Sequence, residues 1–241
     1  MPLTLSTDHI FSRLQEDGFV VLSNYFDCND VDNLQALHIS EQSIASDDSY
    51  LNGRIYRSFI SLTPRQRSIS QTIKSILPGK KNCTLIINQE HVYFSIANLL
   101  CSLSTMITFK PPKELQVFHT SDNVNTIHSA QKPHFDYRPC LKAMIYLDDC
   151  RHIDSGGLYL IPGSHDWTRR STAYKRVLNE SPGRTDPHIY FEKSPFTLQN
   201  FVYMGANAGD ILLFLTDNFH FQGINKKTKF NRISRIHAYL D

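Results

Sequence analysis

Lys132-Pro133-His134-Phe135-Asp136-Tyr137 is the stretch on which this 241-residue chain turns. If residues 133–138 are extended, His134 and Asp136 share one face, because side chains alternate along a strand. An imidazole and a carboxylate so spaced can grip one cation from one side. The spacing alone says little. With 11 His and 23 acidic residues in 241 positions, about one His-x-acid pair is expected by chance. A second one exists, His152-Ile153-Asp154, within the polar run Asp148 to Gly157 that ends in two glycines. That run reads as a loop and His152 as a solvated histidine. His134 differs: apolar and aromatic residues flank it, and a partner lies downstream.

The partner is His220. It follows Gly209-Asp210 and the apolar run Ile211 to Leu215, a turn and then a buried strand. Alone, such a histidine is more often a hydrogen-bonded core residue than a ligand. Farther on come Arg232 and Ser234, on one face of a strand expected over Ile233 to Leu240. A buried arginine needs an anion; a carboxylate matches it best, and the plainer alternative is a structural Arg–Asp pair. Two histidines and one carboxylate on one triangular face, with open positions opposite, is the arrangement of non-haem Fe(II) oxygenases.

In this order, His134-x-Asp136, His220 and Arg232-x-Ser234 resemble the signature of Fe(II)/2-oxoglutarate-dependent oxygenases. The chain is most similar to their phytanoyl-CoA dioxygenase family. The segment Leu14 to Leu22 resembles that family's opening helix and strand. Tyr146-Leu147-Asp148-Asp149 and Ser155 to His165, with its Pro162-Gly163-Ser164-His165 turn, resemble its central strand pair, and Gly209-Asp210 fits as well. The resemblance covers residues 10–35 and 130–240. It implies a double-stranded β-helix with the metal in its mouth. It implies Fe(II) on His134, Asp136 and His220, the catalytic centre, with 2-oxoglutarate and dioxygen as cosubstrates. The far carboxylate of 2-oxoglutarate would pair with Arg232, helped by Ser234. Arg235, on the opposite face, is the competing anchor. Lys142 is a weaker rival if it faces inward with Met144 and Tyr146, a surface lysine being the plainer reading. The implied reaction is hydroxylation of an unactivated C–H bond in a small molecule of the acyl, amino-acid, sugar or natural-product class. Asp136 argues against halogenation, since the similar halogenases replace this carboxylate with a small residue.

Composition sets the outer bounds. Hydrophobic residues make up 41% and charged residues 20%, as in soluble globular proteins. A net charge of +2 gives no footprint for nucleic acid, and no apolar run approaches a membrane span. Five cysteines without a CxxC pair suggest reduced thiols and a cytoplasmic setting, with Cys140 as packing. The N-terminus shows no signal-peptide pattern. Nothing in the sequence bears on oligomeric state.

We read residues 1–241 as one domain, mainly β with flanking helices: bracing elements over 1–104 and a jelly-roll core over 105–241. Helices are expected over 6–17 (ended by Gly18), from a cap at Asn29 or Asp30, from Thr63-Pro64 to Pro78-Gly79, and over Gln89 to Leu103. Residues 40–62 read as loop. Strands are expected at Phe19–Tyr25, Met106–Phe109, Glu114–Thr120, Asn125–Ser129, Leu141–Leu147, Gly157–Ile161, Phe201–Met204, Ile211–Phe214 and Ile233–Leu240. Residues 166–200 read as a lid insertion, with Arg169, Arg170 and Tyr174 as candidates for an anionic substrate. Two rivals remain: a cupin-type metal protein, which would show His-x-His, and a metal-free binding module, which would have lost one of the four positions. Ser164-His165-Asp166 cannot form a hydrolase triad, since three consecutive residues diverge.

Overall fold

A computed structural model describes residues 5–42, 50–51, 54–55, 59–60, 90–110, 112, 115–123, 131–136, 139–171, 191–226 and 230–240. The chain opens with helix α1 (Thr7–Glu16), capped by Ser6, whose hydroxyl accepts from the His9 amide at 3.2 Å. Gly18, at φ 76°, turns it into strand β1 (Phe19–Leu22). A Cβ at Gly18 would lie 2.1 Å from Asn218 Nδ2, so close approach as well as conformation demands glycine. The strand stops at Leu22, short of Tyr25. Asn24 takes a left-handed conformation, φ 52°, and donates its amide to Asp210 Oδ1 at 2.7 Å.

Helix α2 (Cys28–Gln42) starts two or three residues earlier than a cap at Asn29 or Asp30 would set it. Its cap is Asp27, whose carboxylate accepts from the Asp30 amide at 2.9 Å. Past it, the loop expected over 40–62 contains two-residue strands β2 (Tyr50–Leu51), β3 (Arg54–Ile55) and β4 (Phe59–Ile60). Their partners explain them: β2 pairs with β3, and β4 pairs with Leu115 and Gln116, a non-local contact that local composition does not announce. The helix expected from Thr63 to Gly79 and the strand expected at Asn125–Ser129 lie outside the described residues.

Helix α3 (Glu90–Thr108) takes in Met106–Thr108 of the strand expected at Met106–Phe109, and Phe109 follows it at φ 60°. The Thr105 and Thr108 hydroxyls donate back to the Cys101 and Ser104 carbonyls at 2.7 and 2.9 Å. Leu100 and Leu103 are fully buried, so packing outweighs the β-branched preference of the last turns.

The remaining strands are β5 (Leu115–Asn123), β6 (Cys140–Tyr146), β7 (Leu158–Leu160), β8 (Val202–Met204), β9 (Ile211–Leu215), β10 (His220–Gln222) and β11 (Phe230–Tyr239). They form a major antiparallel sheet, β1-β9-β6-β11-β5-β4, and a minor one, β10-β7-β8. This is the jelly roll with flanking helices. Strands β6 and β9 are buried along their whole length, β9 as its unbroken apolar run requires and β6 with Lys142 buried among apolar residues. One face, Leu141, Ala143, Ile145, Ile211 and Leu213, packs on Leu14, Leu34, Leu100 and Leu103 of the helices. The other, Met144, Tyr146, Leu212 and Phe214, packs on Leu158, Leu160 and Met204 of the minor sheet. Helices, major sheet and minor sheet thus form successive layers.

Between β7 and β8, helix α4 (Ser164–Arg170) takes in the first residues of the expected insertion, with His165 and Thr168 buried. Phe191 and Phe196, near the insertion's other end, pack beside Phe135 and Phe219. No helix among the described residues is long and apolar enough to cross a membrane. Cys140 is buried, and burial pushes its thiol up to about 12.

Candidate metal centre

Backbone pairing brings two ligands together. His134 N donates to His220 O at 3.0 Å, and His220 N donates to His134 O at 2.7 Å. Among residues 131–136 this is an isolated antiparallel bridge rather than a full strand. Bridged residues present their side chains to the same face, and here the ring centroids lie 4.5 Å apart. The Asp136 amide donates to Thr216 O at 2.9 Å, continuing the alignment. Asp136 Oδ1 then lies 3.8 Å from His134 Nε2 and 3.5 Å from His220 Nε2. The three ligand atoms fall within 4.8 Å of one another.

The protons on these rings follow from their partners. His134 Nδ1 lies 2.7 Å from Lys132 O, and His220 Nδ1 lies 2.8 Å from Asn218 O. A carbonyl only accepts, so each Nδ1 carries a proton and Nε2 is left as the ligating atom of each ring. Two imidazole nitrogens and a carboxylate oxygen converge, and a divalent transition metal satisfies that set. Burial, reinforced by the neighbouring His220, holds His134 at about 3 rather than 6.5, so it is neutral near pH 7. Burial works to raise Asp136, but the Lys142 ammonium pulls the other way, and the carboxyl is held well below its usual range.

Phe135, between the ligands, faces the other way and is fully buried, 5.6 Å from the Phe219 ring. Ile161, Trp167, Phe191, Phe196 and Phe201 complete that apolar wall. A one-residue slip would drive Asp136 into it, so the wall enforces the register.

Lys142 corrects the surface-lysine expectation. It sits on the inward face of β6 with Met144 and Tyr146 and is 7% exposed. Its Nζ lies 2.9 Å from Asp136 Oδ2 and 5.4 Å from the Phe214 ring centre. Sequence alternation could place it inside; the partner was not visible there. Asn218 was also missed. Its backbone carbonyl orients His220, while its side chain donates to Gly18 O and accepts from the His165 amide.

Strand β11 carries the candidate anchors. Its register sets Ile233 opposite Tyr146, Ser234 opposite Ile145 and Arg235 opposite Met144. Paired residues share a face. The position of Arg235 therefore falls with the inter-sheet set of Met144, Tyr146 and Ile233, and those of Arg232 and Ser234 with the helix-side set of Ile145.

The other candidates stand apart. His152 is exposed, and Asp154 pairs with Lys226 at 3.3 Å. Arg169 and Arg170 are engaged by Asp217 and Asp166; Tyr174 lies outside the described residues. Ser164 Oγ donates to Ile161 O, and His165 meets Asn218, so both serve the turn.

Residues 68–233 match the protein-family model described as phytanoyl-CoA dioxygenase. The chain belongs to the phytanoyl-CoA dioxygenase family. It is accordingly an Fe(II)- and 2-oxoglutarate-dependent enzyme, with dioxygen as the second cosubstrate. Among curated proteins, no sequence matches. Solved structures of similar fold include the epimerase SnoN in complex with Fe3+, alpha ketoglutarate and nogalamycin RO. It is 14% identical with a TM-score of 0.57, over 96% of this chain and 82% of that one. The alpha ketoglutarate-dependent carbocyclase SnoK is 14% identical with a TM-score of 0.56, over 97% and 83%. HygX from Streptomyces hygroscopicus, with nickel and 2-oxoglutarate bound, is 14% identical with a TM-score of 0.55, over 97% and 86%. At this identity these neighbours speak for the fold of the family member.

Proposed function

We propose that this enzyme hydroxylates an unactivated C–H bond of a small molecule, with Fe(II) held by His134, Asp136 and His220. The observation that carries the proposal is the convergence of two imidazole nitrogens and one carboxylate oxygen, all within 4.8 Å of one another. When bound, Fe(II) with 2-oxoglutarate and dioxygen supplies the oxidising chemistry, and 2-oxoglutarate leaves as succinate and CO2.

The chain's own residues orient and enclose. Lys132 and Asn218 carbonyls hold the rings in the ligating tautomer. The wall of Phe135 and Phe219 excludes water from one side. Asp136 fills the position that a halide would need, which supports hydroxylation over halogenation. For the far carboxylate of 2-oxoglutarate, spacing from His220 supports Arg232 with Ser234, and the β11 register supports Arg235. Neighbours crystallised with nogalamycin RO and hygromycin B support a small-molecule substrate. The position of 166–200 between β7 and β8 supports a lid role within a single 1–241 domain, and the free thiols support a cytoplasmic setting.

Anaerobic isothermal titration of 2-oxoglutarate into Fe(II)-loaded protein tests this, followed by succinate release across a substrate panel in air. The expected result is binding that His134→Ala abolishes. Removing the anchoring arginine, Arg232→Ala or Arg235→Ala, should weaken it at least about 100-fold and so identify the anchor. No binding with metal present would overturn the proposal.

A further inference from the structure

The two oxygens of Asp136 face different partners. Oδ1 lies 3.8 and 3.5 Å from the two Nε2 atoms, whereas Oδ2 lies 2.9 Å from Lys142 Nζ. The lysine crosses to it from β6, on the major sheet, while His220 comes from β10 on the minor one. Taking an ammonium out of water is costly unless it meets an anion, and here the anion is a candidate metal ligand. Phe214 backs the pair, 5.4 Å below Lys142 and edge-on to His220 at 5.1 Å.

A carboxylate with both oxygens free binds a metal through one or chelates through two. Chelation would use a second position. A three-residue site that must also admit a two-point cosubstrate and dioxygen has no position to spare. We infer that Lys142 is a positioning residue: by holding Oδ2 it offers Oδ1 alone, keeps Asp136 monodentate, and preserves a position for 2-oxoglutarate. The inference rests on the function proposed above.

Co(II) is a suitable probe, because its visible spectrum reports coordination without turnover. Wild type, Lys142→Met and Lys142→Arg would be loaded anaerobically and then titrated with 2-oxoglutarate. Lys142→Met should bind Co(II) at least as tightly as wild type, with a changed spectrum and a 2-oxoglutarate affinity at least about tenfold weaker. Lys142→Arg should restore both. Identical spectra and affinities in wild type and Lys142→Met would overturn the inference while leaving the metal site standing. Loss of Co(II) from Lys142→Met alone would also overturn it, since the lysine would then support the ligand rather than its denticity. Failure of wild type to bind Co(II) would instead overturn the function and the inference with it. Should Lys142→Met not fold, isotope-edited infrared of wild type with labelled aspartate decides. A wide separation of the metal-sensitive carboxylate stretches supports one-oxygen binding, and a narrow one contradicts it.

Discussion

His134-Phe135-Asp136 and His152-Ile153-Asp154 have the same spacing and opposite fates. In the first, the backbone bridges to His220, the middle phenylalanine is fully buried, and the carboxylate meets Lys142 and two imidazole nitrogens. In the second, His152 is exposed, Ile153 is 59% exposed, and Asp154 is satisfied by Lys226. The motif is therefore only a spacing. Its chemistry comes from the middle residue, which decides the face, and from a backbone partner that brings the third ligand.

The largest expected separation between the two is in metal affinity. Asp136→Ala should weaken Mn(II) or Fe(II) binding by more than about 100-fold, beyond the range that outer partners of a ligand control. Asp154→Ala should leave it unchanged and alter stability by at most about 1 kcal/mol, as for other exposed ion pairs. Equal losses in calorimetric titrations of the two variants would erase the distinction.

Next comes anchorage. Asn218 is buried, and its side chain bonds Gly18 O, the His165 amide and Ser164 Oγ. Asn218→Ala should cost about 3 kcal/mol in urea unfolding, because it strands buried groups. Near the second motif, Tyr203 donates to the Cys150 and His152 carbonyls. Tyr203→Phe should cost only about 1 kcal/mol, since the loop carrying those carbonyls is partly open to water.

The smallest effect is in titration. Hydrogen bonds from Arg151 hold Asp149 at about 2 rather than 3.8. A depressed folded value stabilises above pH 3.8, and that contribution fades as pH falls from 3.8 toward 2. Carboxyl NMR should show the low titration, its return toward 3.8 in Arg151→Ala, and no response to Mn(II). A metal-dependent shift of Asp149 would mean that the second loop also binds.

Much of this was legible in residues whose role is set locally. The unbroken apolar run Ile211–Leu215 announced the buried strand β9, and His134, Asp136 and His220 stood out by order and setting. What escaped depends on distant partners. Met106–Thr108 read as strand because of their β-branched neighbours, yet packing on α1 and hydroxyl bonds to the preceding turn keep them helical. The strand β4 exists through its pairing with β5. The ion pair between Lys142 and Asp136 joins a residue of β6 to one beside the His134–His220 bridge. Alternation already separated Arg235 from Arg232 and Ser234, but which of the two faces falls with Met144 and Tyr146 needed the partner strand.

The most direct measurement is anomalous X-ray scattering from crystals of the protein loaded with Mn(II). The account predicts one strong peak about 2.0–2.3 Å from His134 Nε2, Asp136 Oδ1 and His220 Nε2, with Asp136 Oδ2 still on Lys142. A peak beside Asp154, or none between the three ligands at saturating metal, would contradict it.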